Sequence, residues 1–216
     1  MNILDLDLDF FMSHVLYDNV SALHNSESAA PWRIGDVDCF LRHNCRLWNR
    51  IPGWVVNNHK DVFYIVKGDR QHGLLESPHS WVHIDSHSDL GSGSSIPDIA
   101  ECMNFTTRYE DVVNSNNYLL ALICDGCIAQ LYNVYNKGSI LDYDLSLFSV
   151  EQGNQIVSHK VAKQTISFLK YVEADFTWDF GFDLMFLSLS VEYTCKESFA
   201  ISNHIRANFM KEIQEA

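Results

Sequence analysis

The sequence predicts an α/β fold: a three-layer sandwich around a mostly parallel sheet. Three observations predict it. Short apolar runs bounded by turn signals alternate with segments of helical period. One of those runs, Val62-Phe63-Tyr64-Ile65-Val66, is continuously apolar, as strands covered on both faces are, and the stretch 183–190 reads as a buried strand. No repeat, low-complexity tract or linker interrupts the 216 residues, so residues 1–216 read as one domain.

The elements follow in order. Residues 2–9 read as a strand, then a polar loop holds Asn25, Ser26, Ser28 and Pro31. Residues 36–50 read as a helix, with Asp36 placed to cap it and Val37, Phe40, Leu41, Leu47 and Trp48 along one face. Pro52-Gly53 ends that helix. The run 62–66 is the next strand; Gly68-Asp69 turns the chain toward a short helix at Leu74-Leu75. Trp81 to Asp85 reads as a strand, and Gly91-Ser92-Gly93-Ser94-Ser95 as a loop. Residues 117–124 suit a helix and 128–135 a strand; 160–172 fits either. Residues 183–190 form a buried strand, and 197–212 a terminal amphipathic helix.

Composition narrows the function classes. The formal net charge of −13 argues against general nucleic-acid binding and suits a cationic partner. No apolar run approaches the roughly 20 residues of a membrane span, and the alternating aspartates of the first residues are unlike an export signal. A soluble, cytoplasmic protein is expected. The six cysteines are scattered, and Cys124-Asp125-Gly126-Cys127 lacks the second pair that a zinc ribbon needs, so buried thiols are expected there.

Two segments concentrate metal-ligand side chains at every second position: Leu4-Asp5-Leu6-Asp7-Leu8-Asp9 and His83-Ile84-Asp85-Ser86-His87-Ser88-Asp89. On a strand, the first puts three carboxylates on one face and three leucines on the other. Buried together, those carboxylates repel, and a cation relieves them. Asp7, Asp9, Asp85 and Asp89 supply four negative charges, enough for two divalent ions, and His87 adds a nitrogen. Oxygen-rich sites with one or two imidazoles suit Mn²⁺. Carboxylates spaced about 6.6 Å along a strand can each face a different ion or bridge two. Both clusters fall near predicted C-terminal strand ends, where sites in such sheets belong.

The segment 83–89 resembles the DxHxD motif of the arginase–deacetylase (ureohydrolase-like) superfamily. Leu6-Asp7-Leu8-Asp9-Phe10-Phe11 is similar to the second carboxylate motif of an arginase-like family that includes the bacterial peptide arginases of ribosomal-peptide pathways. Gly68-Asp69-Arg70-Gln71-His72-Gly73-Leu74 resembles that family's turn upstream of DxHxD, and residues 186–194 its C-terminal strand. The resemblance implies an arginase-like parallel α/β fold. It also implies two Mn²⁺ held by Asp7, Asp9, His72, Asp85, His87 and Asp89, with Asp85 and Asp9 as candidate bridges. Asp5, on the same strand face, would hold a ligand in place from behind or be a ligand itself, and His83, on the face of Asp85, would support a ligand from behind. It further implies hydrolysis of arginine side chains in a precursor peptide to ornithine and urea. Glu192 would grip the guanidinium, Asn104 would touch substrate, and Asp89 would pass a proton to the leaving amine.

The chain departs from the arginase pattern in three ways. Its DxD precedes DxHxD, which suggests a circular permutation. Residues 90–110 hold no histidine to serve as the usual proton shuttle. The loop 91–95 lacks the Asn/Thr-rich character that grips a free amino acid, which favours a peptide. Rival expectations are a hydrolase of free arginine or agmatine, a single-zinc amide hydrolase, and a non-catalytic module that binds a basic peptide. His14, His24, His43, His59, His79, His159 and His204 have no partners in phase and are expected to be ordinary surface or hydrogen-bonded residues.

Overall fold

A computed structural model of the chain describes residues 1–12, 30–71, 75, 78–91, 111–136, 155–159, 164–191 and 194–213. Within them lie eight strands: β1 (Asn2–Asp7), β2 (Ile51–Val56), β3 (His79–Ile84), β4 (Ile128–Tyr135), β5 (Gln155–His159), β6 (Gln164–Val172), β7 (Leu184–Ser188) and β8 (Met210–Glu212). They form one sheet in the order β5-β6-β4-β3-β1-β7-β2-β8. Every neighbouring pair is parallel except β5 with β6. Four helices of the described residues cover it: α1 (Ile34–Cys39, continued by a π turn Phe40–Asn44), α2 (Lys60–Gln71), α3 (Tyr118–Cys124) and α4 (Phe199–Asn208).

The layers follow from side-chain alternation. On one face Ile3, Trp81, Leu131 and Phe186 pack with Val62, Phe63 and Val66 of α2 and with Tyr118 to Cys124 of α3. On the other, Leu4, Leu6, Val82, Ile84 and Leu187 pack with Val37 of α1, Phe40 and Leu41 of its π turn, and Ile201 and Ile205 of α4. This is a three-layer α/β sandwich whose central strand, β1, is buried on both sides. Because β1, β2, β3 and β7 are parallel, their C-terminal ends open onto one edge of the sheet.

Several elements differ from the sequence reading. The run Val62–Val66 lies inside helix α2, and Gly68 and Asp69 continue that helix rather than turn the chain. Val62, Phe63 and Val66 face the core while Lys60, Asp61 and Lys67 are less covered. Five apolar residues satisfy either period, and the helical one is realised here.

The strand in this region is instead β2, which passes through Pro52-Gly53. Glycine is required there because a Cβ on Gly53 would collide with the Met185 carbonyl of β7. The helix expected at 36–50 starts at Ile34 and stops at Asn44. Asp36 lies in its first turn and pairs with Arg33 (2.9 Å) rather than capping it. Arg46 takes a left-handed conformation (φ 56°), and Trp48 is 53% exposed. The terminal helix is shorter than expected and is followed by edge strand β8. Residues 164–172 are strand, paired antiparallel with β5. Strand β4 spans the residues expected of it, and α3, β3 and β7 match to within a few residues. The Leu74-Leu75 helix falls largely outside the described residues. No helix of the described residues is long and apolar enough to cross a membrane.

Candidate metal centre

Strand β1 sends Asp5 and Asp7 to the same face as Ile3, opposite Leu4 and Leu6. The alternation ends there. Residues Leu8–Phe11 form a single 3₁₀ turn that Asp7 caps, its Oδ1 accepting the Asp9 N–H at 2.8 Å. Asp9 therefore reaches the site from a turn, not from the strand face.

The second segment is built similarly. Asp85 follows β3 directly, and its Oδ1 accepts the His87 N–H at 2.7 Å, which bends the chain back on itself. Asp89 sits at φ 50°, a left-handed conformation uncommon for a residue with a side chain. The two segments meet: the Ser86 N–H points at Asp9 Oδ1 (3.4 Å), and His87 Nδ1 lies 3.0 Å from Asp9 Oδ2.

His59, expected to be an ordinary histidine, stands at the centre. It occupies the loop between β2 and α2 and is 2% exposed. Its Nδ1 lies 3.0 Å from Asp7 Oδ2, 3.3 Å from Asp85 Oδ2 and 2.9 Å from Asp89 Oδ2. One ring nitrogen carries at most one proton, so it cannot hydrogen-bond to all three oxygens.

Around this group lies a buried polar surround. Asp5 Oδ2 accepts the Trp81 indole N–H at 3.0 Å and the Tyr118 hydroxyl, and lies 3.1 Å from His83 Nδ1. The Ser190 hydroxyl donates to Asp7 Oδ2 from a left-handed backbone (φ 39°) just past β7. Thr194 in turn donates to the carbonyls of Leu189 and Ser190, closing the turn that holds Ser190.

Five buried carboxylates and three imidazoles thus share one edge of the sheet. Burial and then the charges of Asp9 and Asp85 push the Asp7 carboxyl well above the ordinary carboxylate range. Burial and then Asp85 push Asp9 upward, and push Asp89 up to about 7. Burial acts upward on Asp85 as well, but the close His59, His87 and His83 rings outweigh it and hold Asp85 well below the ordinary range. Asp5 is balanced the same way, its burial outweighed by His59, His83 and Tyr118.

Among the described residues, three overlapping groups of side chains could hold a metal ion: Asp7, His59 and Asp85; Asp9, Asp85 and His87; His83, Asp85 and Asp89. Asp85 belongs to all three. The donor set fits an ion in two respects. Asp9 Oδ2, Asp85 Oδ2, Asp89 Oδ2 and His83 Nε2 are buried without a well-aligned hydrogen bond, although imidazole nitrogens stand close to the three oxygens, which a protein core does not tolerate without compensation. In addition, donors on an octahedral ion with bonds of about 2.1 Å stand about 3 Å apart, the spacing that His59 Nδ1 keeps to three carboxylates.

Of the residues singled out from sequence, Asp7, Asp9, Asp85, His87 and Asp89 converge here, with Asp5 and His83 against them. His72, Asn104 and Glu192 lie outside the described residues. Cys124, at the end of α3, and Cys127, just past it, are buried thiols outside any disulfide, as expected. No protein-family model matches the chain, and no curated protein matches it.

Proposed function

We propose that the chain is a dimanganese hydrolase of arginine side chains within a peptide, releasing urea and leaving ornithine. The observation that carries the reading is the convergence of Asp7, Asp9, Asp85, His87 and Asp89 with His59 around a shared Asp85. Asp7, His59, Asp85 and Asp89 would hold one ion, and Asp9, Asp85 and His87 the other. When bound, two such ions would supply Lewis-acid activation of a water for attack on the guanidinium carbon.

The chain's own residues have distinct tasks in this reading. Asp85 serves both positions. Ser190 fixes the rotamer of Asp7 through the hydroxyl contact, and the Asp7 cap fixes Asp9. Ser86 ties the two acidic segments together so that their oxygens stay converged. Asp89, 2.9 Å from the His59 ring, is the residue assigned to carry the proton to the leaving amine. Glu192, two residues past Ser190 in sequence, receives the guanidinium by charge-assisted contacts. The His87 side chain is 23% exposed, against 6% or less for Asp7, Asp9, Asp85, Asp89 and His59, so substrate enters from its side. The acidic balance of the whole chain favours approach of a basic peptide.

The test is direct. Mn²⁺-loaded protein incubated with an arginine-containing peptide should release urea and convert arginine to ornithine by mass, and Asp85→Ala should abolish both. Turnover of free arginine or agmatine instead of the peptide would move the reading to a small-guanidine hydrolase. Tight peptide binding without urea would make the chain a binding module.

A further inference from the structure

We propose that His83 is itself a ligand of the ion held by Asp7, His59, Asp85 and Asp89, and that Asp5 is the positioning residue that aims the His83 imidazole at it. The inference rests on the metal-centre reading above and deepens it, because it makes the two ion positions chemically unequal.

Asp5 stands behind two histidines at once. Its Oδ2 lies 3.1 Å from His83 Nδ1, and its Oδ1 lies 3.6 Å from His59 Nε2. Each ring turns its other nitrogen toward the acidic cluster. His59 Nδ1 faces Asp7, Asp85 and Asp89, and His83 Nε2 lies 3.5 Å from Asp85 Oδ2. The two rings are neighbours, with centroids 5.7 Å apart.

The tautomer of His83 follows from the company Asp5 keeps. Asp5 is fully buried and accepts from the Trp81 indole and the Tyr118 hydroxyl, so it is an ionised acceptor and the His83 proton belongs on Nδ1. That leaves a lone pair on Nε2, which is buried and has no hydrogen-bond partner. A lone pair facing Oδ2 of Asp85 is unfavourable unless a proton or a metal ion sits between them. His83 groups with Asp85 and Asp89 as a possible ion-holding set on geometry alone. A carboxylate that takes the far N–H of an imidazole is a recurring support for a metal-bound histidine; Asp5 does so for His83, while its Oδ1, 3.6 Å from His59 Nε2, acts on His59 through charge alone.

The consequence is a difference between the ions. With His59 and His83, the inner position carries two nitrogens and is wholly buried. The outer position, with Asp9, Asp85 and the partly exposed His87, carries one nitrogen and fewer protein donors. The inner position therefore favours borderline ions such as Co²⁺ or Zn²⁺ over Mn²⁺ more strongly than the outer one does.

The experiment uses the full chain stripped of metal by a chelator and titrated with Co²⁺. Visible absorption and equilibrium dialysis report binding; far-UV circular dichroism checks the fold of each variant. Wild type should bind two ions, the first at least about 10-fold tighter than the second. His83→Gln should lose the tight step and keep the weak one. Asp5→Asn should weaken the tight step by about 10- to 100-fold while still binding two ions at saturation. A measurement on wild type alone guards against misfolded variants: ¹⁵N imidazole shifts on Zn²⁺ loading should show His83 Nε2 moving to a metal-bound value.

Two ions bound with His83 Nε2 unmoved, or with both steps unchanged in His83→Gln, would overturn this inference and leave the metal-centre reading standing. Failure to bind any divalent ion would overturn both.

Discussion

At the scale of single residues, the site is built from side chains that do two jobs. Asp7 caps a turn and faces His59; Asp85 bends its own chain and joins every donor group. His59 has no such local role, so its replacement isolates the site. His59→Ala should weaken Mn²⁺ binding at one of two positions by at least about 10-fold and leave the fold intact, as read by calorimetric titration and circular dichroism. His43→Ala is the control: that ring is exposed and packs edge-on against Trp48, 5.3 Å between centroids, so its loss should change nothing. Equal effects of the two would refute the central position of His59. A second residue-scale prediction concerns the thiols. Burial and then Asp125 push the Cys124 thiol up to about 12, so at pH 8 it stays protonated as well as covered. Iodoacetamide at pH 8 should label the exposed Cys39 and spare Cys124 until the chain is denatured; labelling of both at similar rates in the native protein would contradict the burial.

At the scale of elements, the same residues explain what the sequence made legible. The acidic and histidine spacing at 5–9 and 83–89 marked the site because strands and tight turns keep such residues close whatever the rest of the chain does. Asp9 shows the limit of that logic, since it joins the site from a 3₁₀ turn and not by strand alternation. His59 was hidden by two misread neighbours. With Pro52-Gly53 taken as a terminator and 62–66 as a strand, residue 59 falls in an unremarkable loop. Once 51–56 is the strand and 60–71 the helix, residue 59 lies at a C-terminal strand end, where parallel sheets build sites. The missing signal was non-local: Gly53 is needed because Met185 of another strand lies against it, and no pattern within 50–56 reveals that. This makes Gly53 a test of the register. Gly53→Ala normally gains a little in a strand; here the collision with the Met185 carbonyl should cost about 1–3 kcal/mol, seen as a lower denaturation midpoint. Unchanged or raised stability would show that β2 and β7 are not packed in this register.

At the scale of the whole molecule, the fold carries a buried charge cluster that an ion could relieve, and this predicts different pH trends with and without metal. In the chelated protein, Asp7, Asp9 and Asp89 have carboxyls raised by burial and mutual repulsion, Asp89 to about 7. A raised carboxyl stabilises the fold while it keeps its proton, so that contribution is complete below about pH 4 and is lost as pH rises toward 7. His59 and His83 are raised too, against burial, by their aspartate neighbours. Their contribution is complete below about 6.5 and is lost as pH climbs through their elevated values. Asp5 and Asp85 are lowered and act in the other sense, but only below about pH 4. Chelated protein should therefore melt at falling temperatures from pH 5 to pH 8. Divalent ions replace the protons, so their binding tightens as pH rises. At Mn²⁺ a hundredfold above its Kd, one site adds about 2.7 kcal/mol, on the order of 5–10 °C in a chain of this size. That gain in melting temperature, read by scanning calorimetry at fixed total Mn²⁺, should be larger at pH 8 than at pH 6. Parallel melting curves for chelated and Mn²⁺-loaded protein across that range would mean that the buried carboxylates and imidazoles are not where the ion binds.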